Sequence, residues 1–303
     1  TSPLERLAAN ERPAASPVAP RRRTDEPLML SFYAIDDYLT CPLKYKYAHL
    51  LRVPIAPHHS IIYGSALHAA VSEFHKRHAR GEVMPQEALN AVFEAAWTSD
   101  GFLSREHEEA RQDAGREALR RFRDEQLRPG AVIPAFVERD FSFMLDGDRV
   151  RGRYDRVDII PAIDSGGLLE PAVAREPVGG TDHVEPTLFE AAERVIITDY
   201  KSSDVRDPAK ARERAKSSLQ LLIYAMGYEA MTGRLPDAVA LHFLDSGLVG
   251  TASVDRKRID KAREQIRTAA AGIRAREFGA KPDYLACGYC AFRGICPSSA
   301  SSR

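Results

Sequence analysis

Val195-Ile196-Ile197-Thr198-Asp199-Tyr200-Lys201 is an apolar run that closes on an acid and a base two positions apart. In an extended chain successive side chains leave on opposite faces, so Ile197, Asp199 and Lys201 point one way and Ile196, Thr198 and Tyr200 the other. Upstream, Gly152-Arg153-Tyr154-Asp155-Arg156-Val157-Asp158 alternates in the same way, which sends Asp155 and Val157 to one face and Arg156 and Asp158 to its back. If the two strands are neighbours, Asp155 meets Asp199. Charges desolvated at the end of an apolar strand are costly without a partner, and the simplest partner for two carboxylates is a divalent cation. Carboxylate oxygens are the hard ligands that magnesium or manganese prefers. Such an ion acidifies its bound water and neutralises charge developing on a phosphate, and Lys201 stands where it can orient that water or stabilise that charge. A lone Asp-x-Lys is more often a surface ion pair, so the rest of the chain has to decide.

Two further stretches bear on it. Ser217-Ser218-Leu219-Gln220-Leu221-Leu222-Ile223-Tyr224-Ala225 reads as helix, with Gln220 and Tyr224 four apart on one face. Tyr63-Gly64-Ser65-Ala66-Leu67-His68 opens an earlier helix in which His68 stands among small and apolar residues. Taken singly, His68 suits a core histidine, and Gln220 and Tyr224 suit ordinary packing.

Together and in this order, the four elements resemble the RecB-like nucleases of the PD-(D/E)XK superfamily. That family pattern is a histidine on an early helix, a Gly-x-x-Asp strand, an Asp-x-Lys strand and a Gln-x-x-x-Tyr helix. Here His68, Gly152 to Asp155, Asp199 to Lys201, and Gln220 to Tyr224 fill the four places. The resemblance implies a restriction-endonuclease-like core and hydrolysis of DNA phosphodiester bonds with Mg2+ or Mn2+. It implies that His68, Asp155 and Asp199 ligate the metal, that the backbone carbonyl of Tyr200 adds a ligand, and that Lys201 serves the attacking water. Gln220 and Tyr224 then steady the site or contact the DNA strand. Glu138, in Phe136-Val137-Glu138-Arg139, falls where relatives often carry another acid.

The cysteines carry a second argument. Cys41 stands alone near the start, and Cys287, Cys290 and Cys296 close the chain as Cys-x-x-Cys followed by Cys-Pro. With no secretion signal the chain reads as cytoplasmic, where thiols stay reduced, so a metal centre is preferred to disulfides. The ligand count suits zinc and iron equally. A subset of RecB-like nucleases, including AddB and the CRISPR-associated exonucleases, carries one cysteine before the core and three after it around a [4Fe-4S] cluster. The segments Ser31 to Pro42 and Cys287 to Pro297 resemble that subset, which implies the same cluster here, with structural Zn2+ as the alternative. A centre joining Cys41 to the last three cysteines closes a loop around nearly the whole chain. By disulfide arithmetic that removes about 5 kcal/mol of unfolded-state freedom, the signature of a staple.

The remaining sequence sets bounds. Lys plus Arg equals Asp plus Glu at 43 each in 303 residues, so no global positive field advertises nucleic acid. Local basic candidates are Arg21-Arg22-Arg23, Lys44 with Lys46, and 206–216. Tyr33, Tyr38, Tyr45 and Tyr47 mingle with Lys44 and Lys46, a mixture that stacks and steers single-stranded DNA or packs around the cysteines. No apolar run approaches a membrane span, and no Gly-x-x-x-x-Gly-Lys-Ser/Thr loop cradles a nucleotide, so a helicase motor is expected elsewhere, in cis or in trans.

Helix is expected from an N-cap at Ser31 to about residue 51, and over 61–80, 86–98, 103–127, 208–232 and 255–278. Strands are expected over 136–145 and 149–160 around an Asp146-Gly147 turn, at the Asp-x-Lys run, and over 238–245 and 248–254. That order gives an α/β fold, a central mixed sheet flanked by helices, with the terminal segments tied by the metal cluster. The domain reading is a flexible linker over 1–27 and one nuclease domain over 28–303, carrying an insertion at 161–194. The absent initiator Met and the arginine-rich leader point to the C-terminal nuclease module of a bacterial helicase-nuclease acting on DNA ends in repair or recombination. A free-standing CRISPR-adaptation exonuclease shares every site residue, and a catalytically inactive DNA-binding module is the reading of another class.

Overall fold

The computed structural model describes residues 26–161 and 193–300. The linker expected over 1–27 and the insertion expected over 161–194 lie, apart from their edges, outside the described residues. The chain divides into two compact units, one drawn from Thr1–Ile55, Met144–Arg149 and Gln265–Arg303, the other from Ala56–Phe143 and Val150–Glu264.

The elements run in the order β1 (Met29–Leu30), α1 (Phe32–Thr40), α2 (Pro42–Tyr45), a π-helical turn (Lys46–Leu50), α3 (His59–His78), α4 (Gln86–Ala95), α5 (Arg105–Gln126), β2 (Phe136–Leu145), β3 (Asp148–Ile160) and β4 (Arg194–Lys201). Then follow α6 (Pro208–Ser217), α7 (Leu219–Thr232), β5 (Ala238–Phe243), β6 (Leu248–Ser253), α8 (Arg256–Ala275) and α9 (Tyr284–Gly288). The six strands form one mixed sheet in the order β1-β3-β4-β5-β6, with β2 pairing β3. Strand β4 runs antiparallel to β3 and parallel to β5, and β5 runs antiparallel to β6. The expected mixed α/β sheet is therefore present.

In the unit of residues 56–143 and 150–264, helices cover both faces of the sheet. On one face α3, α4 and α5 bury Leu67, Phe74, Leu89, Phe93, Leu119 and Phe122 in a single cluster that also holds Tyr200 of β4. On the other face lies α7, buried from Gln220 through Tyr228, a stretch in which Gln220 alone is neither apolar, aromatic nor glycine. Ser218 caps α7 by accepting the Leu221 N–H, and Gly233, in the left-handed region at φ 78°, ends it. The single helix expected over 208–232 is in fact two. Ser218 adopts ψ 111°, and its hydroxyl takes an amide that an unbroken helix would use, so one residue ends α6 and starts α7.

Gly152 owes its place to packing. A Cβ there would sit 2.5 Å from the Phe141 ring, and one at Gly227 of α7 would sit 2.4 Å from the same ring. Two absent side chains thus let Phe141 wedge between β3 and α7. The β2–β3 turn has Asp146 at φ 49° and Gly147 at φ 87°, the pair of positive angles that a two-residue hairpin needs.

In the other unit Asp148 is a buried carboxylate that ties the chain ends: it accepts the Leu28 N–H at 2.8 Å and pairs with the Arg274 guanidinium. Tyr38 donates to the Glu277 carbonyl at 2.9 Å, and its ring, with that of Tyr45, packs against Phe278. These contacts assign Tyr38 and Tyr45 to packing, whereas Tyr33 is exposed.

Candidate active site

The site is built where β4 ends. Asp199 and Tyr200 leave β4 on opposite faces, so one strand feeds both helical layers. Asp199 is 2 % exposed and faces α7. Gln220 Nε2 donates to Asp199 Oδ1 at 2.8 Å, the Tyr224 hydroxyl lies 3.3 Å from the same oxygen, and Lys201 Nζ lies 2.7 Å from Asp199 Oδ2. Lys201 Nζ also donates to Gln220 Oε1 at 2.8 Å. Gln220 therefore spends both ends of its amide on the Asp-x-Lys pair, which favours steadying over direct DNA contact for this residue.

Asp155 approaches from β3. Its Oδ2 accepts the Tyr200 N–H at 2.9 Å and lies 3.6 Å from His68 Nδ1. His68 Nε2 is 2.9 Å from the Tyr200 carbonyl oxygen. His68, Asp155, Asp199, Tyr200, Lys201, Gln220 and Tyr224 thus converge within one unit of the fold.

Glu138 completes a donor set that the sequence reading touched only lightly. One donor atom from each of His68, Glu138 and Asp155 lies within 4.8 Å of the other two. Glu138 sits on β2 at φ 50°, a left-handed conformation that costs a non-glycine residue about 1–2 kcal/mol. Nothing in the sequence marks that turn of the backbone. The signal for Glu138 was the resemblance, since this residue falls where relatives often carry another acid.

The electrostatics agree with a cation. Burial, then the neighbouring charge of Asp199, push the Asp155 carboxyl up to about 8. Asp155 and Glu138, beside the His68 imidazole, form a donor set suited to a hard divalent ion, whereas the Asp199 carboxylate, expected as a ligand, is taken up by Gln220, Tyr224 and Lys201 and is not among the donor atoms that lie within 4.8 Å of one another. No metal is part of the structure.

Behind the sheet the Tyr200 side chain enters a buried polar cluster. Its hydroxyl lies 2.7 Å from His75 Nε2 and 3.4 Å from Arg156 Nη1. Arg156 forks onto Asp158 at 2.8 and 2.9 Å, donates to Gln126 Oε1 at 2.7 Å and to the Val132 carbonyl at 3.0 Å. Burial pushes the Tyr200 phenol up to about 12 and holds His75 well below the ordinary imidazole range, so the phenol keeps its proton and His75 is neutral at pH 7.

The four cysteines lie in the other unit. All are free thiols, and all four border one solvent-open pocket together with Leu43, Lys44, Tyr47 and Phe292. The Lys281 N–H points at Cys41 Sγ, 3.4 Å away. No three of the sulfurs lie within 4.8 Å of one another.

A family model described as the PD-(D/E)XK nuclease superfamily matches residues 29–169 and 178–297. The chain belongs to the PD-(D/E)XK nuclease superfamily, and that membership points to nuclease activity with DNA as the substrate. Comparison with curated proteins gives no match. Among solved structures, the crystal structure of SSO0001 aligns over 88 % of this chain and 95 % of its own, at 12 % identity and a TM-score of 0.33. So slight a likeness adds nothing to the site. No described helix is long and apolar enough to cross a membrane.

Proposed function

We propose that this chain is a metal-dependent deoxyribonuclease whose active site is the cluster around Asp155, Asp199 and Lys201. The observation that carries the reading is the convergence of His68, Asp155 and the Tyr200 carbonyl from three elements, with Lys201 held on the same rim by Asp199 and Gln220. His68, Asp155, Asp199 and the Tyr200 carbonyl, with Glu138 beside them, would hold Mg2+ or Mn2+. Such an ion supplies a more acidic water and neutralises charge on the phosphate.

The chain's own groups do the rest. Asp199 keeps the Lys201 ammonium at the mouth of the site, where it can donate to a non-bridging phosphate oxygen or to the water that attacks. Gln220 bonds to both partners of that pair and so fixes the direction from which the ammonium meets the carboxylate. Tyr224 braces Gln220 through its hydroxyl at 2.9 Å.

We assign the four cysteines to a [4Fe-4S] cluster rather than zinc. Four free thiols that border one pocket support a shared metal centre, and the resemblance of the segments around Cys41 and Cys287 to Cys296 to the AddB-type pattern supports the cluster over zinc. The resemblance to AddB-type nucleases supports a setting in repair or recombination beside a helicase motor, on single-stranded ends. The same residues would serve a CRISPR-adaptation exonuclease.

The test is cleavage of end-labelled single-stranded DNA by anaerobically purified protein with Mn2+, beside Lys201→Ala. Cleavage by the wild type alone supports the reading. Cleavage by both would move the chemistry off Lys201, and none by either, under loaded metal, would leave a binding module.

A further inference from the structure

Arg156 is a charged residue buried in the fold. Its side chain is 10 % exposed and its partner Asp158 8 %, on the face of the sheet that carries no chemistry. A buried ion pair is generally no more stabilising than apolar side chains of the same volume, so its retention calls for another return. The geometry supplies one.

Arg156 follows Asp155 on β3, and Tyr200 follows Asp199 on β4, with Arg156 registered opposite Thr198. Directly behind the site, then, the Arg156 guanidinium crosses from one strand to the phenol of the other. Arg156 can only donate, so the Tyr200 oxygen accepts from it, and the hydroxyl also bonds to His75 Nε2, 2.7 Å away. His75 stands on α3, the helix that also carries His68. Gln126 on α5 accepts from Nη1, the nitrogen that also reaches Tyr200, and the Val132 carbonyl accepts from Nη2. Every one of these anchors converges on a single residue whose main chain faces the site from both sides. The Tyr200 N–H holds Asp155, and the Tyr200 carbonyl faces His68.

We propose that Arg156 and the Tyr200 phenol are positioning residues: the buried Asp158–Arg156–Tyr200–His75 relay sets the place of the Tyr200 peptide and of Asp155, and thereby the affinity of the site for its divalent cation. The inference rests on the metal-dependent reading above. It assigns to the middle residue of Asp-x-Lys a task for its side chain as well as its carbonyl.

Tyr200→Phe is the clean perturbation, because the ring still fills its place against Phe122 and His242 and only the hydroxyl is lost. Second-layer partners of metal ligands typically govern affinity by about 10–100-fold. Mn2+ binding, followed by the loss of the free-ion electron paramagnetic resonance signal, should weaken at least tenfold in Tyr200→Phe. At saturating Mn2+ the KM for single-stranded DNA should stay at its wild-type value. Arg156→Lys, which keeps the charge but not the fork, should fall between the two.

Phe93→Leu serves as the control, a buried change on α4 away from the relay that lowers the melting temperature without touching these groups. If Tyr200→Phe binds Mn2+ within twofold of wild type, the relay has no such role. If Phe93→Leu weakens Mn2+ as much for the same loss of melting temperature, the effect is stability alone and the inference falls. A wild-type protein that takes up no Mn2+ would sink the metal reading itself, a failure distinct from the other two.

Discussion

Asp155 provides the sharpest test of the site because its chemistry can be followed without any DNA. Its carboxyl is pushed up to about 8 by burial and by Asp199, so below that pH a metal must displace a proton to bind. One proton per ion means that the apparent dissociation constant falls tenfold per pH unit. Between pH 6.5 and 8 the affinity for Mn2+ should therefore rise about 16-fold, and level off above pH 8 at about twice that. The metal-free protein should show the reverse trend in stability. A carboxyl whose folded pKa lies above the ordinary value of 3.8 contributes fully below that value, and its contribution is lost as pH rises toward about 8. Added Mn2+ should erase that loss. Calorimetric titration of Mn2+ at four pH values, with melting curves of the metal-free protein alongside, measures both slopes. Affinity that stays flat from pH 6.5 to 8 would refute the coupling of Asp155 to Asp199 and with it the shared site. The variant Asp199→Asn adds a check on cause: with the neighbouring charge gone, any residual pH dependence should move to lower pH.

Asp155→Ala and Asp199→Ala should each abolish Mn2+-dependent cleavage while retaining a cooperative melt, since each removes a ligand without opening an apolar cavity. Gln220→Leu strips two hydrogen bonds from charged groups, each worth about 1.5–3 kcal/mol, and should lower the single-turnover rate by two orders of magnitude or more; a rate within threefold of wild type would detach Gln220 from catalysis. Glu138→Gln should weaken Mn2+ binding several-fold, and if it raises the melting temperature of the metal-free protein, the relief of crowded negative charge is read directly. Cys41→Ala should lower the melting temperature by several degrees and remove iron and acid-labile sulfide from anaerobically purified protein. A variant that keeps both would end the staple, and zinc without sulfide in the wild type would replace the cluster with the smaller metal.

The site's inner face was legible because alternation along a strand is a local rule. Asp199 with Lys201, and Asp155 apart from Arg156, follow from counting by two, and the sheet did place β3 beside β4. The Gln220–Tyr224 spacing was likewise enough to put both on Asp199, because four residues make one helical turn. What escaped was whatever depends on a single unusual angle or on distant partners. Glu138 reaches His68 and Asp155 through a left-handed residue in mid-strand. The helix over 208–232 breaks at Ser218, where neither neighbour is a proline or glycine that would announce it. Arg156 and Asp158 were placed on the back of β3, but their purpose there appears only once Tyr200 and His75 arrive from elsewhere in the chain. The meeting of residues around Leu28, Asp148 and Arg274 is of the same long-range kind, invisible to spacing.

That meeting governs how the protein can be made. A unit drawn from Thr1–Ile55 and Gln265–Arg303 is discontinuous, so its first part leaves the ribosome long before its last. At about 5–20 residues per second, Cys41 and the apolar side chains of Phe32–Thr40 wait on the order of tens of seconds for their partners, while the intervening unit has already had time to fold. During that interval a lone thiol and an unfinished core stand open to oxidation and to chaperones, and the residues translated after Gln265 are the ones that close them. Removal of 265–300 should therefore cost the segment 28–55 its structure as well, a form of quality control written into the order of synthesis.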